Sequence, residues 1–236
     1  MDDTPQQLAL LTVDVPARPL ICGLDEVGRG ALAGPLVAAA VILPADFSTR
    51  LGPLVRFLRD SKTVPAARRD ELASVILAHA LAVETVVIAV EQINARGIGW
   101  ANREAFRRLI ARIAADEYIV DGRVRPPAPR ERAARVRCLV RADATVPEVS
   151  AASIVAKSRR DAIMRALHGE FPDFGWRHNV GYGTKAHITA LHAHGPSPHH
   201  RRVFVATALG LTPNKRATRA AQATLVESGV ELSPGD

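Results

Sequence analysis

The chain has 236 residues, 47% hydrophobic and 23% charged, enough to bury a substantial core in one globular domain but too few for a second full domain. Its 31 Lys and Arg against 24 Asp and Glu give a net charge of +7 and a pI near 10.2, which favours a polyanionic partner. An aromatic content of 4% argues against a platform that stacks many bases along one strand; no apolar run reaches the ~20 residues of a membrane helix, and the start lacks a secretory signal, so the expected location is cytoplasmic, with no membrane partner.

In chain order, residues 1–18 read as a flexible lead-in, residues 19–211 as the folded domain and residues 212–236 as a polar tail. Leu20 to Val27 and Leu36 to Leu43 are apolar enough for buried strands, with Gly28, Gly30 and Gly34 marking a turn or bulge between them. Pro65 opens a helix over 66–80, and a strand is predicted over 82–90. Ala101, Ala105, Phe106, Leu109, Ile110 and Ile113 recur at helical spacing, predicting a helix over 98–115. Short strands over 118–120 and 136–140 follow, then a long helix over 149–168. Strands first, then alternating helix and strand, imply an α/β fold with a mixed central sheet flanked by helices. Cys22 and Cys138 lie too far apart for a zinc or redox spacing and read as buried thiols.

The chemistry concentrates at strand ends. Asp25 and Glu26 run directly into Arg29, which stands between Gly28 and Gly30, and Asp121 and Asp143 follow two later strands. Hard cations such as Mg²⁺ or Mn²⁺ take oxygen ligands and keep several waters, so carboxylates from several strand ends suit an open two-ion site for displacement at phosphorus. Successive strand residues face opposite ways, so Asp25 and Glu26 are expected to share a site through a bend in the strand, which the downstream glycines would permit. Each acid also has an ordinary alternative: a solvated Asp–Glu pair, a turn aspartate before Gly122, a helix cap at Asp143.

Several ordered motifs carry a family resemblance: GLDEVGRGALAGPLVAAAVIL from Gly23, DSK at Asp60, VDG at Val120, RADATVPEVSAASIVAKSRRD from Arg141, GYGT at Gly181 and HHRRVF at His199. Over roughly residues 20–210 the chain resembles bacterial ribonuclease HII. The resemblance implies a ribonuclease H-like fold with a C-terminal helical portion. It also implies an endonuclease that hydrolyses the RNA strand of RNA–DNA hybrids and cuts 5′ of ribonucleotides embedded in duplex DNA. Asp25, Glu26, Asp121 and Asp143 match the family's catalytic, metal-binding carboxylates, for two Mn²⁺ or Mg²⁺ ions. Gly28, Arg29 and Gly30 match the segment that contacts the ribose 2′-hydroxyl, and Tyr182 the tyrosine that packs on the junction sugar. Lys62, Ser153 and Lys157 would then be phosphate contacts, and a monomer is the default.

Three features are left outside the site. Asp161 is expected to pair with the adjacent Arg159 and Arg160. The histidine-rich stretch HAHGPSPHHRR could suggest a transition-metal site by composition, but the resemblance implies a structural turn there. Residues 123–141 hold seven arginines against one acid, Glu131, and suggest extra affinity for the duplex backbone. Two other readings compete: a non-catalytic nucleic-acid-binding module, and a nucleotide-binding oxidoreductase built on GRGALAG, although acids just before the glycines would repel a pyrophosphate.

Overall fold

In the computed structural model of the chain, residues 19–52, 58 and 65–211 are described; the lead-in 1–18, the tail 212–236 and the DSK segment with Lys62 lie outside them. Strands β1 (Ile21–Val27) and β2 (Leu36–Ile42) form the expected antiparallel hairpin, Cys22 opposite Ile42 and Val27 opposite Val37. Helices α1 (Phe47–Leu51) and α2 (Ala66–His79) lead to β3 (Ala82–Ile88), which pairs antiparallel with β2. The chain then crosses the sheet through α3 (Val90–Arg96) and α4 (Ile98–Arg112), and adds β4 (Glu117–Asp121) parallel to β1. After α5 (Arg130–Ala133), β5 (Val136–Leu139) pairs parallel to β4, so the mixed five-stranded sheet runs β3-β2-β1-β4-β5.

Three boundaries differ from the sequence expectation, each for a local reason. The strand expected to Val90 stops at Ile88, because Val90 and Ile93 are both buried at a helical spacing and start α3. The helix expected to Ala115 ends at Arg112, where Ile113 turns extended (φ −105°, ψ 131°). The long helix starts earlier: after α6 (Ala142–Thr145), α7 (Pro147–Glu170) begins at a proline, which fits a first helical turn.

Both faces of the sheet are covered. On one, Cys22, Leu24, Leu36, Ala38 and Val120 pack against Ala105, Phe106, Leu109 and Ile110 of α4. On the other, Val37, Ala39 and Val41 pack against Leu72 and Ile76 of α2 and Ala151, Ala152 and Val155 of α7. This double burial explains why β2, LVAAAVI, lacks any polar alternation. Alanines on both partners let α7 lie close to the sheet. At Gly23 the approach is extreme, since a Cβ there would fall 2.1 Å from the Glu148 carbonyl carbon, so the strand tolerates only glycine at that point.

Beyond α7 the chain folds into short helices, α8 (Trp176–Asn179), α9 (Lys185–His194) and α10 (Arg202–Ala208), the C-terminal helical portion. Phe174, Trp176, Ala190, Leu191 and Val205 close over Met164 of α7 and over Leu32 and Ala33 of the β1–β2 turn. That third cluster presses the turn following the acid pair against the end of the molecule. No helix among the described residues is long and apolar enough to cross a membrane.

Candidate active site

Asp25 and Glu26 occupy the last turnings of β1, and the β1–β2 pairing runs unbroken through both, Asp25 opposite Ala39 and Glu26 opposite Ala38. The expected bend is therefore not what unites them. Gly23, Asp25 and Val27 face α7, where the Ser153 hydroxyl hydrogen-bonds Asp25, while Glu26 shares the face of Cys22 and Leu24. The two acids straddle the strand end, and β4 completes the site. Leu24 pairs with Val120 in the parallel ladder, so the next residues, Asp25 and Asp121, stand level.

The carboxylates act on one another electrostatically. Burial first, then the charge of Glu26, pushes the Asp25 carboxyl up to about 8, with Asp121 adding to the rise against the opposing Ser153 and Glu26 N–H hydrogen bonds. The Glu26 carboxyl is also raised by burial, although Arg29 opposes this. Each oxygen set already has a protein donor: the Glu26 N–H donates to Asp25 Oδ1 at 2.8 Å, the Ala142 N–H to Asp121 Oδ1 at 2.9 Å, and Arg29 Nη1 to Glu26 Oε1 at 3.2 Å. Asp143, in the first turn of α6 next to Ala142, is 4% exposed and lines a cavity of about 400 Å³ with Leu58, Pro147 and Ser150.

These residues suit a hard divalent cation by chemistry. The donors are oxygens alone, and three carboxylates crowd together with a repulsion that an ion would relieve. As placed, no three His, Cys, Asp or Glu side chains among the described residues surround a common point, and Glu26 is engaged by the exposed Arg29 side chain.

The other expected residues are distributed around this centre. Gly28 to Gly30 follow the acids after Val27 alone, and Arg29 reaches back to Glu26. The turn leads into strand β2 and not into a helix, which removes the dinucleotide-binding alternative. Lys157 lies one helical turn beyond Ser153 on α7 and donates to both carboxylate oxygens of Asp161, at 2.9 and 3.1 Å. Asp161 also holds Arg69 of α2 at 2.9 Å, so its partners are not the adjacent Arg159 and Arg160: neighbours in sequence point away from each other on a helix, whereas residues four apart meet. Tyr182 is half-buried with its ring 5.3 Å from the Arg160 guanidinium.

Arg160 is a residue that sequence reasoning missed, as is Arg201; both side chains are fully buried. Arg160 donates to the carbonyls of Ala33, Pro35 and Val180, joining the β1–β2 turn to α7 and α8. A signal existed: Ala152, Ala156, Arg160 and Met164 recur every four residues, and the arginine sits in an otherwise apolar stripe. The arginine-rich segment 123–141 is also turned inward more than expected. Arg132 donates to the carbonyls of Ile110 and Ile113, Arg135 to that of Ala115, Arg125 to that of Ala133, and Arg137 pairs with Glu117.

Comparison with known proteins agrees with this geometry. The family model for ribonuclease HII matches residues 22–207. The ribonuclease HII of Burkholderia thailandensis is 43% identical over 197 residues, 82% of this chain and 86% of its own, and that of Ralstonia pickettii is 39% identical over 233 residues, 95% and 93%. Among solved structures, the PCNA:RNase HII complex from Archaeoglobus fulgidus contains a chain of similar fold, with a TM-score of 0.64 at 28% identity, covering 77% of this chain and 92% of that one. Strand-end acids, a glycine-flanked arginine and a match over nearly the whole described domain lead to one assignment: the chain belongs to the ribonuclease HII family and is a ribonuclease H.

Proposed function

We propose that this ribonuclease H is a metal-dependent endonuclease that hydrolyses the phosphodiester 5′ of a ribonucleotide, within duplex DNA as well as in RNA–DNA hybrids, leaving a 5′-phosphate and a 3′-hydroxyl. The observation that carries this reading is the continuity of residues 25–30, where the acid pair and the open glycine turn share one backbone segment. A sugar held at the turn lies beside the bond that the acids serve.

Asp25, Glu26, Asp121 and Asp143 would hold Mn²⁺ or Mg²⁺, two ions during catalysis, which supply an activated water and neutralise charge on the phosphate. Asp25 must lose its proton to serve, and Ser153 stabilises the ionised form by donating to it. The N–H of Glu26 orients the same carboxylate. Gly30 exposes backbone with nothing within 4 Å of where a Cβ would stand, leaving room for a ribose and its 2′-hydroxyl. The Tyr182 ring would pack on the sugar, and Lys62, Ser153 and Lys157 would meet the phosphates. Acting on genomic DNA, the enzyme would work as a cytoplasmic monomer.

The test is a DNA duplex with one embedded ribonucleotide, incubated with Mn²⁺ or Mg²⁺ beside an all-DNA duplex. A single cut 5′ of the ribonucleotide, absent from the control and abolished by chelator, is expected. No ribonucleotide-dependent cut would overturn the reading.

A further inference from the structure

Arg201 has no ion-pair partner among the described residues, yet it is wholly buried, a costly placement for a charge unless its donors are well used. They are used on one turn. Nη1 donates to the carbonyls of Gly28 at 2.6 Å and Arg29 at 3.1 Å, and Nε and Nη2 donate to that of Gly34 at 3.0 and 2.8 Å. The planar fork thus clamps both ends of the segment containing Gly30. The two outer glycines of the GRG run serve different ends: a Cβ on Gly28 would fall 2.3 Å from Arg160 Nε, whereas Gly30 meets nothing. Gly28 is glycine because the buried Arg160 side chain packs against it, whereas Gly30 leaves its outer side open.

The residue before Arg201 carries a second constraint. The N–H of Ser197 donates to His200 Nδ1 at 2.9 Å, so that nitrogen bears no proton and the proton sits on Nε2. His200 Nε2 therefore donates to His187 Nε2 at 3.0 Å, sharing that nitrogen's single lone pair with Trp176 Nε1 at 3.2 Å. With Nε2 an acceptor, His187 Nδ1 carries the proton and donates to the Tyr182 carbonyl at 2.9 Å. The donor–acceptor directions admit only neutral rings, and burial pushes both imidazoles below their ordinary range. The groups around the pair are His199 nearby, His194 across Phe174, Tyr182 on the neighbouring segment and Glu91, which lines a cavity with His200; among the described residues no carboxylate is hydrogen-bonded to either ring.

We propose that His200 and Arg201 are positioning residues that lock the two parts of the sugar-reading site, the Gly28–Gly30 turn and Tyr182, in one register, Arg201 directly and His200 through His187. The inference rests on the reading of that turn and of Tyr182 as the ribose contact. It assigns to this dipeptide control of substrate fit, with the acids left to their own chemistry. Lysine at 201 would keep the charge and lose the fork. Glutamine at 200 would keep a donor aimed at His187, whereas alanine would not.

The experiment measures kcat and KM on a duplex with one embedded ribonucleotide, at saturating Mn²⁺, for wild type and for Arg201→Lys, His200→Ala and His200→Gln, with thermal unfolding of each. Arg201→Lys and His200→Ala should raise KM about tenfold with kcat changed less than about threefold, and His200→Gln should restore KM. Failure of the wild type to cut this duplex would sink the underlying reading. Cutting by the wild type with KM unchanged in both disruptive variants, or with kcat falling in step with the unfolding temperature and no rescue by glutamine, would overturn the positioning role alone.

Discussion

Arg29 Nη1 lies 3.2 Å from Glu26 Oε1, and the pair is lopsided, the arginine side chain 61% exposed and the glutamate 9%. The solvated partner is the arginine, so its side chain can swing away at little cost to the fold, while the acid stays at the strand end. Arg29 thus provides the positive charge beside Glu26 that a metal ion would otherwise supply. Arg29→Ala should strengthen Mn²⁺ binding up to about fivefold, because an exposed ion pair contributes at most about 1 kcal/mol. Titration calorimetry on the metal-free protein reads this directly, and weaker binding would contradict the competition.

Asp121→Asn separates charge from architecture. The asparagine oxygen can still accept from the Ala142 N–H, so the link between β4 and α6 survives. Single-turnover cleavage should fall by roughly 10²-fold or more, the scale of losing one group that stabilises transition-state charge. Thermal stability should hold or rise, since Asp121 repels Asp25 and Glu26. A non-catalytic nucleic-acid-binding protein would show no activity to lose.

The Asp25 carboxyl, pushed up to about 8 from 3.8, gives a pH signature with a definite sign. Between those values the folded, metal-free protein holds a proton that the unfolded chain has released, so stability is greatest at the acid end and declines as pH rises. Asp25→Asn should flatten the decline in unfolding temperature measured in chelator from pH 5 to 8. Because a metal must displace the same proton, Mn²⁺ affinity should climb through this window and level off above about 8.

His200 acts in the opposite direction. Its ring is pushed down to about 4 from 6.5 by burial, then by His187, so in that window the unfolded chain binds the proton that the folded one refuses. The stability from this group is complete above about 6.5 and is lost as pH falls toward 4. His200→Gln should remove that acid-side loss while leaving the Asp25-dependent decline in place. Denaturant midpoints at pH 4.5 and 7 for the two proteins decide it.

Legibility in the sequence followed the range of the interaction. The doubly buried β2 and the amphipathic α4 announce themselves through local apolar spacing, and the acids stand out because carboxylates closing apolar strands need a reason. What unites Asp25 with Asp121 is a parallel register, which no local pattern encodes. The clamps were hidden for the same reason: Arg201 finds its carbonyls at Gly28 and Gly34, and Asp161 finds Arg69, across 92 to 173 residues of chain. Arginine pairs such as 159–160 and 201–202 look alike in sequence, although Arg160 and Arg201 are buried and their neighbours are exposed.

Arg132 tests whether the arginine-rich segment serves the fold or the substrate. It donates to the carbonyls of Ile110 and Ile113 at the end of α4, where unsatisfied carbonyls and the negative end of the helix dipole both favour a cation. Arg132→Ala should therefore cost about 1.5–3 kcal/mol of stability, the range for hydrogen bonds made by a charged donor. The slope of duplex affinity against salt should stay unchanged, since this guanidinium is already occupied and neutralises no phosphate. Arg123→Ala and Arg130→Ala, both at exposed positions of the same segment, form the contrast: a salt slope reduced by either, with stability intact, would locate duplex contact there instead. A reduced slope in Arg132→Ala itself would show that this arginine leaves the helix end for the substrate.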